Sequence, residues 1–149
     1  MTGVSHLGHV HLKVRDTERA VEFYESVLGL EVTERVGRFA FLTLGEHHHD
    51  LALQGVGSDV TEVSGAATGP EPGLYHAAWE LEDADALRRA YERLIERDVA
   101  VSPVDHGISK ALYFDDPDGN GVELYLDTRE ELDIHDWDGR NERFDPSEL

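Results

Sequence analysis

Apolar and polar residues alternate along two distant stretches that begin and end alike. One is His9-Val10-His11-Leu12-Lys13-Val14-Arg15-Asp16; the other is His76-Ala77-Ala78-Trp79-Glu80-Leu81-Glu82-Asp83. Each starts on histidine and reaches aspartate seven residues later. Alternation predicts a half-buried strand. The period then lengthens to that of a helix. The spacing predicts a first helix over 17–27, with Val21, Tyr24 and Leu28 on one face and Gly29 ending it. A second is predicted over 84–97, with Leu87, Tyr91, Leu94 and Ile95 on one face. Asp16 and Asp83 stand where an N-cap carboxylate accepts from the free amides of the first turn.

Strand-like runs follow each helix. The first half offers 30–36, 38–44 and 50–54; the second offers 99–101, 110–114 and 121–126. Each half therefore reads strand, helix, then three strands. The expectation is an α+β fold of two βαβββ modules, forming one curved mixed sheet around a metal-binding cleft. The domain would span 1–127, with module one at 4–54, a linker at 55–73 and module two at 74–127. An acidic tail at 128–149 carries Trp137 and Phe144 and is expected to form at most a short helix, packed on the body or a partner.

Composition narrows the chemistry. The chain has 149 residues, enough for a compact core, and no cysteine, which excludes disulfides, thiolate metal sites and cysteine nucleophiles. No segment reads as a signal peptide or membrane span, so a soluble cytoplasmic protein is expected. Asp and Glu number 32 against 13 Lys and Arg, giving a net charge of −19. Such a surface repels nucleic-acid phosphates and anionic lipid, and both are excluded as partners. Only Lys13 and Lys110 are lysines. Adaptation to a salt-rich (halophilic) cytoplasm, where ions screen the self-repulsion, is the expectation.

Among nine histidines, His9 and His76 hold equivalent places in the two halves. Glu123 follows the turn Asp116-Pro117-Asp118-Gly119-Asn120-Gly121, which sends the chain back so that its carboxylate faces inward. A buried carboxylate is costly unless paired, and a divalent cation would satisfy it together with two imidazoles. Two histidines and one carboxylate leave coordination positions open, which suits Fe(II) oxygen chemistry, with Mn(II) and zinc as alternatives on ligand type. His11, one strand period from His9, is the rival ligand.

The runs Gly8–Asp16, Phe23-Tyr24 through Leu28-Gly29-Leu30, and Asp116–Tyr125 resemble the vicinal oxygen chelate superfamily over about residues 4–127. That superfamily includes glyoxalase I, fosfomycin- and bleomycin-resistance proteins and extradiol ring-cleaving dioxygenases. The resemblance implies metal ligation by His9, His76 and Glu123, and it selects His9 over His11. Isomerases of the glyoxalase type take a fourth ligand at the place of Ala52, which cannot ligate. The chain is most similar to single-domain catechol 2,3-dioxygenases. On that resemblance His49, His106 and Tyr113 are the catalytic residues, with the loop between His106 and Tyr113 about two residues shorter than in larger enzymes. The substrates implied are a catechol-type diol and O2; relatives are often homodimers. The alternatives are a glyoxalase-like isomerase or thiol transferase, or a drug-binding resistance protein without turnover. Core packing is the expected role of Trp79, Phe39, Phe41, Tyr75 and Tyr125, and Phe114 should face away from the site.

Overall fold

A computed structural model describes residues 3–57 and 72–149. Most of the expected linker, 58–71, lies outside the described residues. The chain divides into two compact units, Met1–Glu62 and Val63–Leu149.

The first unit is built from β1 (Val10–Val14), α1 (Thr17–Leu28), β2 (Glu31–Val36), β3 (Phe39–Thr43) and β4 (Leu51–Gly55). Its sheet runs β1-β4-β3-β2, with β1 parallel to β4 and the other pairs antiparallel. Asp16 caps α1, accepting from the Arg19 amide at 2.9 Å. Gly29 ends it in the left-handed region at φ 73°, which glycine adopts without a Cβ penalty. The buried face of α1 carries Ala20, Val21, Phe23, Tyr24 and Val27 against the sheet residues Leu42, Leu51 and Leu53. Each such buried leucine contributes about 1.5–3 kcal/mol through area removed from water. Leu28 is only half-buried, because Phe23 and Val27 take the centre of the helix face.

The second unit repeats the plan with β5 (Ala77–Glu80), α2 (Ala84–Glu96), β6 (Ser102–Asp105), β7 (Ser109–Asp115) and β8 (Gly121–Asp127). Its sheet runs β5-β8-β7-β6-β9, the same order with one strand added, β9 (Glu142–Arg143). Asp83 caps α2, accepting from the Ala86 amide at 2.7 Å. Leu87, Ala90 and Leu94 are buried. Among the described residues no helix is long and apolar enough to cross a membrane.

Five expectations change. The described strands form two mixed sheets, one in each unit, rather than one curved mixed sheet, because every strand pairing among the described residues stays within its own unit. No strand forms at 99–101. Asp98 adopts φ 56° and the Val99 amide donates to the Leu94 carbonyl, so this segment terminates α2 and the strand begins at Ser102. Pro103 sits inside β6, opposite Leu112, where the outer neighbour β9 pairs only at Val104 and Asp105. A proline, lacking an N–H, is tolerated at such a poorly paired edge. Ile95 is 50 % exposed rather than part of the buried face. None of Trp79, Phe39, Phe41, Tyr75 and Tyr125 is fully buried, and Tyr75 is 64 % exposed; the aromatic core is Phe23, Tyr24 and Phe114. The tail contains α3 (Arg129–Leu132), β9 (Glu142–Arg143) and a 3-10 turn at Pro146–Glu148 whose Pro146 is buried. Strand β9 pairs with β6, so the tail belongs to the second sheet.

Candidate functional site

His9 and His76 are each the residue immediately before the first strand of their unit. The ladders carry the correspondence further. In the first unit Ala52 lies opposite His11 on one side and Phe41 on the other. In the second, Glu123 lies opposite Ala78 and Tyr113. Residues directly opposite across a ladder share a face. Ala52 and Glu123 therefore occupy equivalent positions, and so do Phe41 and Tyr113.

The turn before β8 explains why Glu123 is where it is. Asp116 Oδ1 accepts from the amides of Asp118 and Asn120, both at 2.9 Å, and Asn120 Nδ2 donates to its other oxygen. Gly119 takes φ 84° within this turn. The hairpin register then brings Glu123 opposite Tyr113, while Phe114 and Val122 are buried on the other face, as expected for Phe114.

Glu123 is 9 % exposed, and both carboxylate oxygens are engaged. His76 Nε2 lies 2.8 Å from Oε2, and the Tyr113 hydroxyl donates to Oε1 at 2.9 Å. His106 Nε2 lies 2.9 Å from the same hydroxyl. Four of the candidate residues thus form one chain: His76, Glu123, Tyr113, His106. Burial, and next the Glu123 carboxylate as hydrogen-bond partner and negative neighbour, push the Tyr113 phenol well above the ordinary tyrosine value. It remains a hydrogen-bond donor throughout the neutral range.

Two cavities flank this chain within the second unit. One, of about 350 Å³, is lined by Tyr75, His76, Ser102 and Tyr113 among others. The other, of about 390 Å³, is lined by Ala78, Ile108, Glu123, Tyr125, Arg129 and His135 among others. Burial, and then the Glu80 carboxylate, raise the Tyr125 phenol as well.

In the first unit His9 and His49 are ring neighbours, with centroids 4.6 Å apart. The triple histidine is a turn held by Thr43 and Asp50: Thr43 Oγ1 donates to the His47 carbonyl, and Asp50 Oδ2 accepts from the Leu44 amide. His47 and His48 are exposed, whereas His49 packs half-buried beside Phe41 at 5.0 Å. Desolvation, followed by its neighbours His9 and His48, lowers the His49 pKa below the ordinary histidine value and favours the neutral ring. His49 Nδ1 is 2.9 Å from His48 Nδ1, which leaves Nε2 outside that contact. His11 lies edge-on to Phe39.

The donor set tests the fit of a metal ion. Two ligands each about 2.1 Å from one ion and at right angles lie about 3 Å apart, and the spacing of His76 Nε2 and Glu123 Oε2 is 2.8 Å. Both are ligand atoms for a divalent ion, so this pair fits. Among the described residues no three His, Cys, Asp or Glu side chains are gathered as a ready-made metal group. His9 and His49 belong to the first unit, and His76 and Glu123 to the second.

The family model for the Glyoxalase/Bleomycin resistance protein/Dioxygenase superfamily matches residues 6–124. The chain belongs to this superfamily. Its α+β modules are those of the superfamily's solved members. A glyoxylase/bleomycin resistance protein/dioxygenase domain from Frankia sp. EAN1pec aligns with a TM-score of 0.72 at 25% identity, covering 84% of this chain and 99% of that one. Catechol-2,3-dioxygenase of Bacillus subtilis (strain 168) is 40% identical over 123 residues, 83% of this chain. Biphenyl-2,3-diol 1,2-dioxygenase 3 of Rhodococcus globerulus is 34% identical over 129 residues, 85% of this chain. The chain spans 42% of the length of the first and 66% of the second. Superfamily relatives named for other reactions also match. Lactoylglutathione lyase of Pseudomonas aeruginosa and metallothiol transferase FosB of Staphylococcus epidermidis are each 27% identical, over 78% and 84% of this chain and 79% and 84% of their own lengths.

Sequence reasoning missed the residues behind His106. Its Nδ1 lies 3.2 Å from the Arg140 carbonyl, which also accepts from the Trp137 indole at 3.0 Å. The tail has no periodicity to point at this contact, and a backbone acceptor leaves no mark on residue type.

Proposed function

We propose that this protein is a non-haem extradiol dioxygenase that opens a catechol-type ring with O2. In this reading residues 1–127 are the vicinal oxygen chelate domain and 128–149 an appended tail. The protein works in the cytoplasm, and a homodimer is compatible with the family. His9, His76 and Glu123 would hold one Fe(II), with Mn(II) as the alternative. Such an ion supplies a Lewis-acidic centre for a diol and open positions for O2.

The observation that carries the reading is the difference between the two equivalent strand positions, Glu123 in β8 and Ala52 in β4. One carboxylate and two histidines leave room for a two-oxygen substrate and a further small molecule. A fourth protein ligand at residue 52 would take up part of that room. The dioxygenase names among the relatives support the same reading.

The chain's own residues then have distinct tasks. In the tautomer whose Nδ1–H faces His48 Nδ1, His49 would keep a lone pair on Nε2, and its neutral ring can take a hydroxyl proton from the diol. The same atom returns the proton to the departing oxygen later in the cycle. Tyr113 keeps its proton and orients the Glu123 carboxylate through Oε1. His106 backs the Tyr113 hydroxyl and supplies positive or hydrogen-bonding character where charge develops. Ile108 and Tyr125, in the cavity beside Glu123, offer apolar surface to a ring.

The test is oxygen uptake. Protein purified without air, loaded with Fe(II) or Mn(II) and mixed with a panel of catechols should consume O2 and form a yellow ring-opened product. No uptake with either metal would overturn the proposal. The names of two relatives favour one other reading, an isomerase or thiol transferase. It would show as turnover of a thiol adduct with Ni, Zn or Mn. A resistance protein that only sequesters a flat drug would bind it with neither activity.

A further inference from the structure

The loop joining β6 to β7 is braced from the C-terminal side. The Thr128 hydroxyl donates to the Gly107 carbonyl at 2.7 Å, and the Thr128 amide donates to the Ile108 carbonyl at 3.0 Å. Gly107 takes φ 80°, in the left-handed region that glycine adopts without a Cβ penalty, and its amide is held by Asp105 Oδ1 at 2.7 Å. Asp105 pairs with Glu142 in β9. Arg140 reaches Glu142 Oε2 at 2.9 Å and lies 3.6 Å from Asp105 Oδ2. Its amide donates to Asp138 Oδ1. These ties fix the Arg140 carbonyl, and the Trp137 indole N–H donates to it. The Trp137 ring meets the His106 imidazole edge-on, with centroids 6.2 Å apart.

A carbonyl oxygen only accepts, so the His106 nitrogen facing it must carry a proton. We propose that Trp137 and the backbone of Arg140 are positioning elements that hold His106 as its Nδ1–H form and aim Nε2 at Tyr113. This follows the logic by which the bond at one ring nitrogen decides what the other can do. Tyr113 has one proton and two acceptors within reach, Glu123 Oε1 and His106 Nε2. In the Nδ1–H form the Nε2 lone pair is open, and the phenol proton can turn toward it. A proton taken up by the ring then lands on Nε2, on the side of Tyr113 and not of the tail. In the opposite tautomer Nε2–H would donate to the phenol oxygen and pin Tyr113 to Glu123. The tail therefore selects which way the hydrogen-bond chain can run.

The statement about the ring is independent of the reaction; its kinetic consequence rests on the dioxygenase reading. Nitrogen-15 NMR of the His106 ring separates the two tautomers, and a His106→Gln spectrum supplies the assignment. At pH 8 the wild-type ring should be in the Nδ1–H form. Trp137→Phe removes the indole donor but keeps a ring, and Trp137→Ala removes both. Trp137 is 55 % exposed, so neither change should unfold the protein. Trp137→Ala should bring in the Nε2–H tautomer, with Trp137→Phe in between. Arg140→Ala, which frees the carbonyl from Asp105 and Glu142, should act in the same direction. Metal content should stay unchanged. On an active catechol, Trp137→Ala should lower kcat by roughly tenfold with KM within about twofold, less than loss of an acid–base group. A wild-type ring in the Nε2–H form, or a Trp137→Ala ring with unchanged nitrogen shifts, would overturn the proposal. Altered shifts in a protein that turns over no catechol would leave it standing while the dioxygenase reading failed.

Discussion

His76 Nε2 lies 2.8 Å from Glu123 Oε2, and the other oxygen of that carboxylate accepts the Tyr113 hydroxyl. A buried carboxylate with one oxygen beside an imidazole and the other held by a phenol is oriented as the proposed ligand role requires. Glu123→Ala should abolish metal retention after gel filtration, measured by elemental analysis. Tyr113→Phe keeps every proposed ligand but lets the carboxylate turn, and should weaken metal affinity by about 10- to 100-fold, as loss of a ligand's orienting partner does. Unchanged affinity in Tyr113→Phe would mean that this hydrogen bond does not orient the ligand.

His49→Ala should retain the metal and lose kcat by about a hundredfold or more, the usual contribution of a general acid–base group. Steady-state oxygen uptake with matched metal loading is the measurement. Full turnover would remove the acid–base role.

Gly121 lies against the start of β5. A Cβ there would come within 2.3 Å of the Tyr75 carbonyl oxygen and 3.1 Å of His76 Cβ. Both contacts are too close, and the first is with backbone, which cannot swing aside. Gly121→Ala should cost about 1–3 kcal/mol in stability, typical of overpacking. Because the substitution crowds His76, a proposed ligand, it should also weaken metal binding. Urea melts and metal titration on the same sample separate the two effects.

The capping aspartates give a control away from the site. Asp16→Ala and Asp83→Ala should each lower stability by about 1 kcal/mol while leaving metal content unchanged. A loss of metal in either would show that the helix starts are coupled to the ligands.

The charge of −19 predicts a salt response. Self-repulsion within the acidic surface is screened as ions are added. The melting temperature should rise from low to molar KCl. A flat or falling curve would remove the idea of salt adaptation.

The repeat was legible because its signals are local. His9 and His76 each precede a strand, Asp16 and Asp83 each cap a helix, and Gly29 ends one. All depend on residue type and short spacing. The second strand of the second module was misplaced because Val99 looks like a strand residue while its amide is used to close α2. Ile95 follows the helical period, yet it stays exposed because burial on α2 is taken by Leu87, Ala90 and Leu94. The aromatic residues tell the same story. Composition marks Phe41 as apolar, but only the turn of residues 44–50 places His49 against it.

By itself the sequence determined the two-module plan, the helix starts and the identity of the side chains available for chemistry. These follow from period, caps and turns, which act over a few residues. Tertiary structure alone decided that the Tyr113 hydroxyl donates to Glu123 Oε1, and that the Arg140 carbonyl backs His106 across 34 residues of chain. Ladder register and backbone acceptors are set by pairing between distant segments, and no single residue type encodes them.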